Sequence, residues 1–166
     1  MIAVYVAQDL RDLRVPLQSL KALVRAVCRR FGVCRAAVGI AIVGDRSMRQ
    51  LNRRFMGRRG STDCLSFDLS EAGDCPDRKA VEIVVNADRA LQEAGRRGHP
   101  VQAELALYVT HGLLHHLGFD DATPAQARRM HSMEDRILRD LGYGGVYGVR
   151  PVNPRAPRTR ADRCAL

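Results

Sequence analysis

Apolar residues along this chain repeat at two spacings that change places several times. Ile2, Val4 and Val6 alternate with smaller or more polar neighbours, the period of a strand with one buried face. Leu17, Leu20, Val24, Val27 and Phe31 then recur at helical spacing, with Pro16 suited to the helix start. Residues 36 to 43 predict a second strand, apolar enough to be buried on both faces. Asp45 is placed to cap a helix that turns Met48, Leu51 and Phe55 inward. A polar loop, MGRRGSTD, leads to a short strand from Cys64 to Leu69, and Ser70 to Lys79 reads as a loop with Gly, Pro and several Asp. Val81, Ile83 and Val85 mark another strand, and Asp88 to Arg97 a helix. Gly98 to Pro100 punctuates before a long helix over residues 101 to 117. Pro124 opens a last helix, with Met130, Met133, Ile137, Leu138 and Leu141 as its apolar face, ending at Gly142.

Elements in this order predict a single α+β domain over residues 1–148, a small mixed β-sheet covered by several helices. From residue 151 the chain reads PVNPRAPRTRADRCAL, with three Pro, four Arg and few apolar residues. Such a composition cannot bury a core, so residues 149–166 are expected to form a basic, disordered tail.

Candidate chemistry concentrates in the long helix and its exit, HGLLHHLGFDD. His111 and His115 stand at i and i+4, on one helix face and within reach of one ion. Gly118 can end the helix in a left-handed cap, turning the chain so that Asp121 approaches the same point. Three ligands from one short segment leave a fourth zinc position open for water, the arrangement of a catalytic site. A metal-dependent hydrolase with one Zn2+ per chain is therefore expected. The same spacing resembles that of metzincin metalloproteases, which place a general-base Glu directly after the first His. Gly112 occupies that position here, which argues against peptide cleavage.

Charge and composition narrow the partners. The formal net charge is +9, which points to a polyanion and to nucleic acid first. Cys28, Cys34, Cys64, Cys75 and Cys164 form no CxxC pair, so reduced thiols are expected and a cysteine zinc site is not. The opening MIAVYVAQDLRD lacks a basic region before an apolar run, and the longest apolar stretch is too short to cross a bilayer. The expectation is a cytoplasmic protein with no membrane partner.

A longer resemblance covers residues 48 to 143. HGLLHHLGFDD resembles HGxLHLxGYDH, a signature of the YbeY family of bacterial endoribonucleases. LNRRFMGRRGSTDCLSFDL is similar to that family's LNxxYRxKDxPTDVLSF, VEIVVN to its GDIVIS strand, and MHSMEDRILRDLGY to its M-x-x-x-E-x-x-I-L-x-x-LG helix. The resemblance implies a zincin-like α+β fold, a bound zinc and a positively charged groove beside it. It also implies a single-strand-specific endoribonuclease of ribosomal RNA maturation, acting on 16S rRNA 3′ ends in the small ribosomal subunit and in ribosome quality control.

Departures from the family pattern matter. Asp121 stands where the family has a third His, which makes the site one unit more negative. The family's Arg after Tyr falls on Met56, for which Arg58 or Arg59 is the expected replacement. Glu82 replaces an Asp and Ser61 a Pro, and His116 follows the second ligand in place of Leu. Arg53, Arg54, Arg58 and Arg59 are expected to form a phosphate track, or else an ordinary solvated patch. Thr62, Asp63 and Ser66 are expected to meet substrate or support the site, or simply to shape the turn. His116 is expected to pack or touch substrate, and Asp120 to orient a ligand imidazole or cap the turn. His99 and His131 have no partner that spacing reveals and read as structural. Two other readings stay open: an RNA-binding or ribosome assembly factor with weak catalysis, and a metallopeptidase.

Overall fold

A computed structural model describes residues 1–8, 15–70 and 78–147. The expected basic tail, Cys75 and Cys164, and most of the loop after Ser70 lie outside the described residues. Within them, four strands and five helices follow the order β1 (Ile2–Gln8), α1 (Leu17–Arg30), β2 (Arg35–Val43), α2 (Asp45–Met56), β3 (Cys64–Asp68), β4 (Arg78–Asn86), α3 (Ala87–Arg97), α4 (Val101–His116) and α5 (Pro124–Asp140).

The strands form one sheet in the order β1-β2-β4-β3. β1, β2 and β4 run parallel, whereas β3 pairs antiparallel with β4 and forms an edge. This is the mixed α+β, zincin-like architecture that the sequence predicts. Alternation assigns the faces. Val38, Ile40 and Ile42 with Val81, Ile83 and Val85 point into the main core beneath α1, α4 and α5. Ala41, Val43 and Val84 point to the other face, where Met48 and Leu51 of α2 meet Leu65 and Phe67 of β3. β2 is thus fully buried on one face and only partly covered on the other, against the expectation of two buried faces. A single short amphipathic helix cannot cover that second face.

α4 runs through the centre of the molecule and packs on α1, α3, α5, β3 and β4. Its residues Ala103 to Thr110 and Gly112 to Leu114 are all buried, so the helix is enclosed on every side. Gly112 marks the closest approach to the sheet: a Cβ there would stand 3.1 Å from Ile83 Cγ2.

Local details differ from the sequence reading at three places. Asp45 does not cap α2 through its side chain; Gly44 is the N-cap and Asp45 is the first helical residue. Phe55 is 54% exposed rather than inward, resting edge-on against Phe67 at 5.3 Å between ring centroids. Among the described residues the sheet ends at β3, which leaves the ring half exposed. Leu141, expected on the apolar face of α5, is the C-cap residue and is exposed. α5 otherwise starts as predicted at Pro124, with Thr123 before it and Gln126 after it forming a capping box.

Candidate metal centre and cleft

His111 and His115 lie in the last two turns of α4, one helical turn apart. Their Nε2 atoms approach to 3.1 Å. Beyond His116 the helix closes in a Schellman motif: Phe119 N–H donates to Leu114 O at 3.0 Å and Gly118 N–H to His115 O at 3.3 Å. Gly118 takes a φ of +89°, which a residue with a Cβ adopts only with strain. That reversal brings Asp121 back, with Oδ2 3.8 Å from His111 Nε2 and Oδ1 3.9 Å from His115 Nε2. Ligands of a tetrahedral ion bound at the usual bond lengths stand roughly 3.3 Å apart. One ligand atom from each of the three residues lies within 4.8 Å of the others, so the set fits a small divalent cation.

Glu134 completes the support for His111. Its Oε1 lies 2.8 Å from His111 Nδ1, and the carboxylate is fully buried. A proton on Nδ1 satisfies this contact and leaves the Nε2 lone pair facing His115 and Asp121. Burial opposes a charge on His111, but the hydrogen bond and charge of Glu134, with Asp63 and Asp121, outweigh it and raise its pKa. Spacing missed Glu134, although its place in α5 carries a signal. It sits four residues after Met130 and three before Ile137, an acid inside an apolar stripe.

A cleft of about 730 Å³ opens over this cluster. Arg58, Arg59, Thr62, Asp63 and Ser66 all line it, as does Met56. Arg53 and Arg54 do not; both are exposed on α2, and Arg54 lies 5.4 Å above the Phe55 ring. Of the four arginines expected to form a track, Arg58 and Arg59 line the cleft and Arg53 and Arg54 do not. A second wall, unforeseen in the sequence, comes from α3, where Arg89, Arg96 and Arg97 face the cleft. Arg96 and Arg97 are engaged with Glu93, and Arg97 Nη1 also lies 3.6 Å from Glu104. Among the described residues Arg58, Arg59 and Arg89 have no carboxylate partner.

Buried amides hold the loop between α2 and β3 over the cleft. Asn52 Nδ2 donates to Gly60 O at 3.0 Å, and Asn86 Nδ2 faces Asp45 Oδ1, Ser61 Oγ and Thr62 O at 2.9 to 3.0 Å. The Ser61 hydroxyl donates to Asp45. Ser61 therefore fixes the loop through a hydrogen bond that the Pro of the family pattern could not make. Asp63 Oδ1 accepts from Cys64 N–H at 2.8 Å and from the Thr62 hydroxyl at 3.0 Å, so Thr62 shapes the turn while Asp63 borders the cleft.

His116 and Asp120 each take one of the two places expected of them. His116 turns away from the cleft toward the end of β3, with Nδ1 3.9 Å from Asp68, and burial holds its pKa below the ordinary value. The 100° step from His115 carries it there. Asp120 is exposed and accepts the Asp121 N–H at 2.8 Å, which is the turn-capping role, while Glu134 orients the imidazole. His99 is held by Glu104, with Nε2 2.9 Å from Oε2, and His131 lies in the cleft itself. Gly112 explains more than a missing base. Ile83 presses on it, so the carboxylate that a metzincin carries there has no room.

A mixed sheet, a buried central helix and a His, His, Asp cluster at that helix's exit define a zincin-like protein with a candidate metal centre. A family model described as Endoribonuclease YbeY matches residues 6–142, and the chain belongs to that family. Relatives carrying the same name include one from Anaeromyxobacter sp. (strain Fw109-5), 39% identical over 151 residues, covering 90% of this chain and 77% of the relative. Another, from Moorella thermoacetica, is 34% identical over 137 residues, covering 76% of this chain and 86% of its own length. A solution structure of a Thermotoga maritima protein aligns with a TM-score of 0.56 at 20% identity, over 95% of this chain and all of the other, and shows the likeness of fold. Among the described residues no helix is long and apolar enough to cross a membrane.

Proposed function

We propose that this protein is a zinc-dependent endoribonuclease that cuts single-stranded RNA in ribosomal RNA maturation. The carrying observation is the meeting of three metal-competent donors with unpaired guanidiniums in one cleft. RNA supplies the polyanion that such a cleft fits, and the small ribosomal subunit, with 16S rRNA 3′ ends, is the setting that the family points to. The work belongs to the cytoplasm and to ribosome quality control.

An ion at this position supplies Lewis-acid stabilisation of charge developing on a phosphate. The side chains do the rest. Glu134 fixes the His111 ring, so its lone pair needs no reorientation during the reaction. Arg58 and Arg59 from one wall and Arg89 from the other hold the phosphodiester and offset its charge. Of the cleft carboxylates outside the donor set, Glu93 and Glu104 are paired with arginines. Asp63 lines the cleft and accepts its hydrogen bonds through Oδ1 among the described residues, which supports Oδ2 as the acceptor of a proton from an attacking water.

Chelation of the purified protein is expected to abolish cleavage of an unstructured RNA, and added zinc to restore it, while a duplex of the same sequence stays uncut. Undiminished cutting after complete metal removal would contradict the proposal.

One observation favours a second reading, an RNA-binding assembly factor with weak catalysis. Met56 faces the cleft, half exposed, where the family pattern carries Arg. Met56→Arg separates the two. If Arg58, Arg59 and Arg89 already supply the charge, cleavage stays within a few-fold of the parent; a large gain shows that catalysis had been weakened.

A further inference from the structure

His131 stacks on Tyr147 inside the metal cleft, with ring centroids 4.2 Å apart and planes 24° from parallel. Considerable structure is devoted to placing that pair. Residues after α5 fold back, and the buried Asp135 accepts the N–H groups of Val146 and Tyr147 at 2.9 and 3.2 Å through one oxygen. Arg139 secures the other oxygen of Asp135 at 2.9 Å. Val146 is buried by this return, yet Tyr147 keeps 39% of its surface exposed and Arg97 lies 5.8 Å from its ring centroid. His131 precedes Glu134 by three residues and shares its face of α5, and Glu134 holds the His111 imidazole. The stack is therefore one side chain removed from the metal centre.

We propose that the His131–Tyr147 stack is a base-binding platform, taking one unpaired nucleobase beside the phosphate held at the metal centre. This rests on the endoribonuclease reading above. Stacked rings accept any base, because every base has a π face, and a neighbouring guanidinium adds to the attraction. The platform also favours a single strand: a base within a duplex is already stacked on both faces and paired, and swinging into the cleft costs it those contacts.

The test measures kcat/KM for metal-loaded full-length protein on a single-stranded RNA and on copies with one abasic nucleotide placed in turn beside the cut. In the parent protein one abasic position is expected to cost about tenfold or more, the typical contribution of a stacked base. His131→Ala should lose a similar factor on intact RNA, and that abasic position should then cost nothing further. His131→Phe keeps a π face and should restore the parent pattern. His131→Leu keeps bulk without that face and should behave as the Ala variant does, which covers any loss of packing. Metal content equal to the parent's is expected throughout. An abasic penalty of parental size in both His131→Ala and His131→Leu overturns the platform. A parent protein that cuts no RNA overturns the functional reading itself, whereas a cutting parent with an undiminished penalty in the variants overturns the platform alone.

Discussion

Replacing Glu134 by Ala removes the acceptor that fixes the His111 ring and leaves a buried cavity behind that ring. Loss of such a supporting hydrogen bond typically weakens metal affinity by about 10- to 100-fold. Competition against a chromogenic chelator measures this directly, and Glu134→Gln, which retains an acceptor oxygen, should lose less. An equal loss for both variants would mean that charge rather than orientation matters. The three donors were legible in the sequence because helical spacing and a glycine cap are local rules, and His111, His115 and Asp121 do converge on one point. The role of Glu134 was not, because its partner is 23 residues away and the contact depends on how α5 crosses α4. Asn52 and Asn86 escaped for the same reason: their partners are loop backbone and side chains whose path has no periodic signature.

Two elements carry predictions of their own. α4 lies against β4 at Gly112, so Gly112→Ala must displace Ile83 or the helix. Overpacking of that kind costs about 1–3 kcal/mol, readable as a lower denaturant midpoint. The donors stay on the helix, so the variant should still bind metal. The start of α2 is tied to the cleft loop by Asp45, whose carboxylate accepts from Ser61, Arg49 and Asn86. The Ser61 hydrogen bond first, then Arg49 and Asn86, hold its pKa down at about 2. The folded value lies below the ordinary one, so its contribution is complete above the ordinary carboxylate range and is lost as pH falls through about 2. Asp45→Asn should lower stability at neutral pH and remove that part of the acid dependence, as unfolding curves at several pH values would show. An unchanged acid limb would contradict the assignment. Element type and order were readable at this scale, since each helix and strand obeys one period over several turns or residues. Phe55 and Leu141 were misread, because their helical spacing matched an apolar face that the neighbouring elements do not extend far enough to cover.

Across the whole molecule, five arginines from two separate stretches of the chain, Arg58 and Arg59 with Arg89, Arg96 and Arg97, line one cleft. On the proposed function, phosphate held by these arginines makes RNA affinity salt-dependent, and removing one phosphate-binding cation should lower the slope of log affinity against log salt by about 0.7 for a single strand. Arg89→Ala is therefore expected to flatten that slope by this amount, whereas Arg53→Ala, on the outer side of α2, should leave it unchanged. Sequence placed the basic wall at Arg53, Arg54, Arg58 and Arg59, because those arginines lie close together along the chain, and missed the arginines of α3, because only the fold brings residue 89 to the same cleft as residue 58. The zincin-like frame was legible through the helix motif, and the sheet order β1-β2-β4-β3 was not, since pairing between distant strands leaves no local mark.

The most direct test is elemental analysis paired with RNA cleavage for the parent protein and His115→Ala. One zinc per chain and active cleavage in the parent, with both abolished together in the variant, is the predicted result. A His115→Ala protein that lacks metal yet cuts RNA at the parental rate would contradict the account.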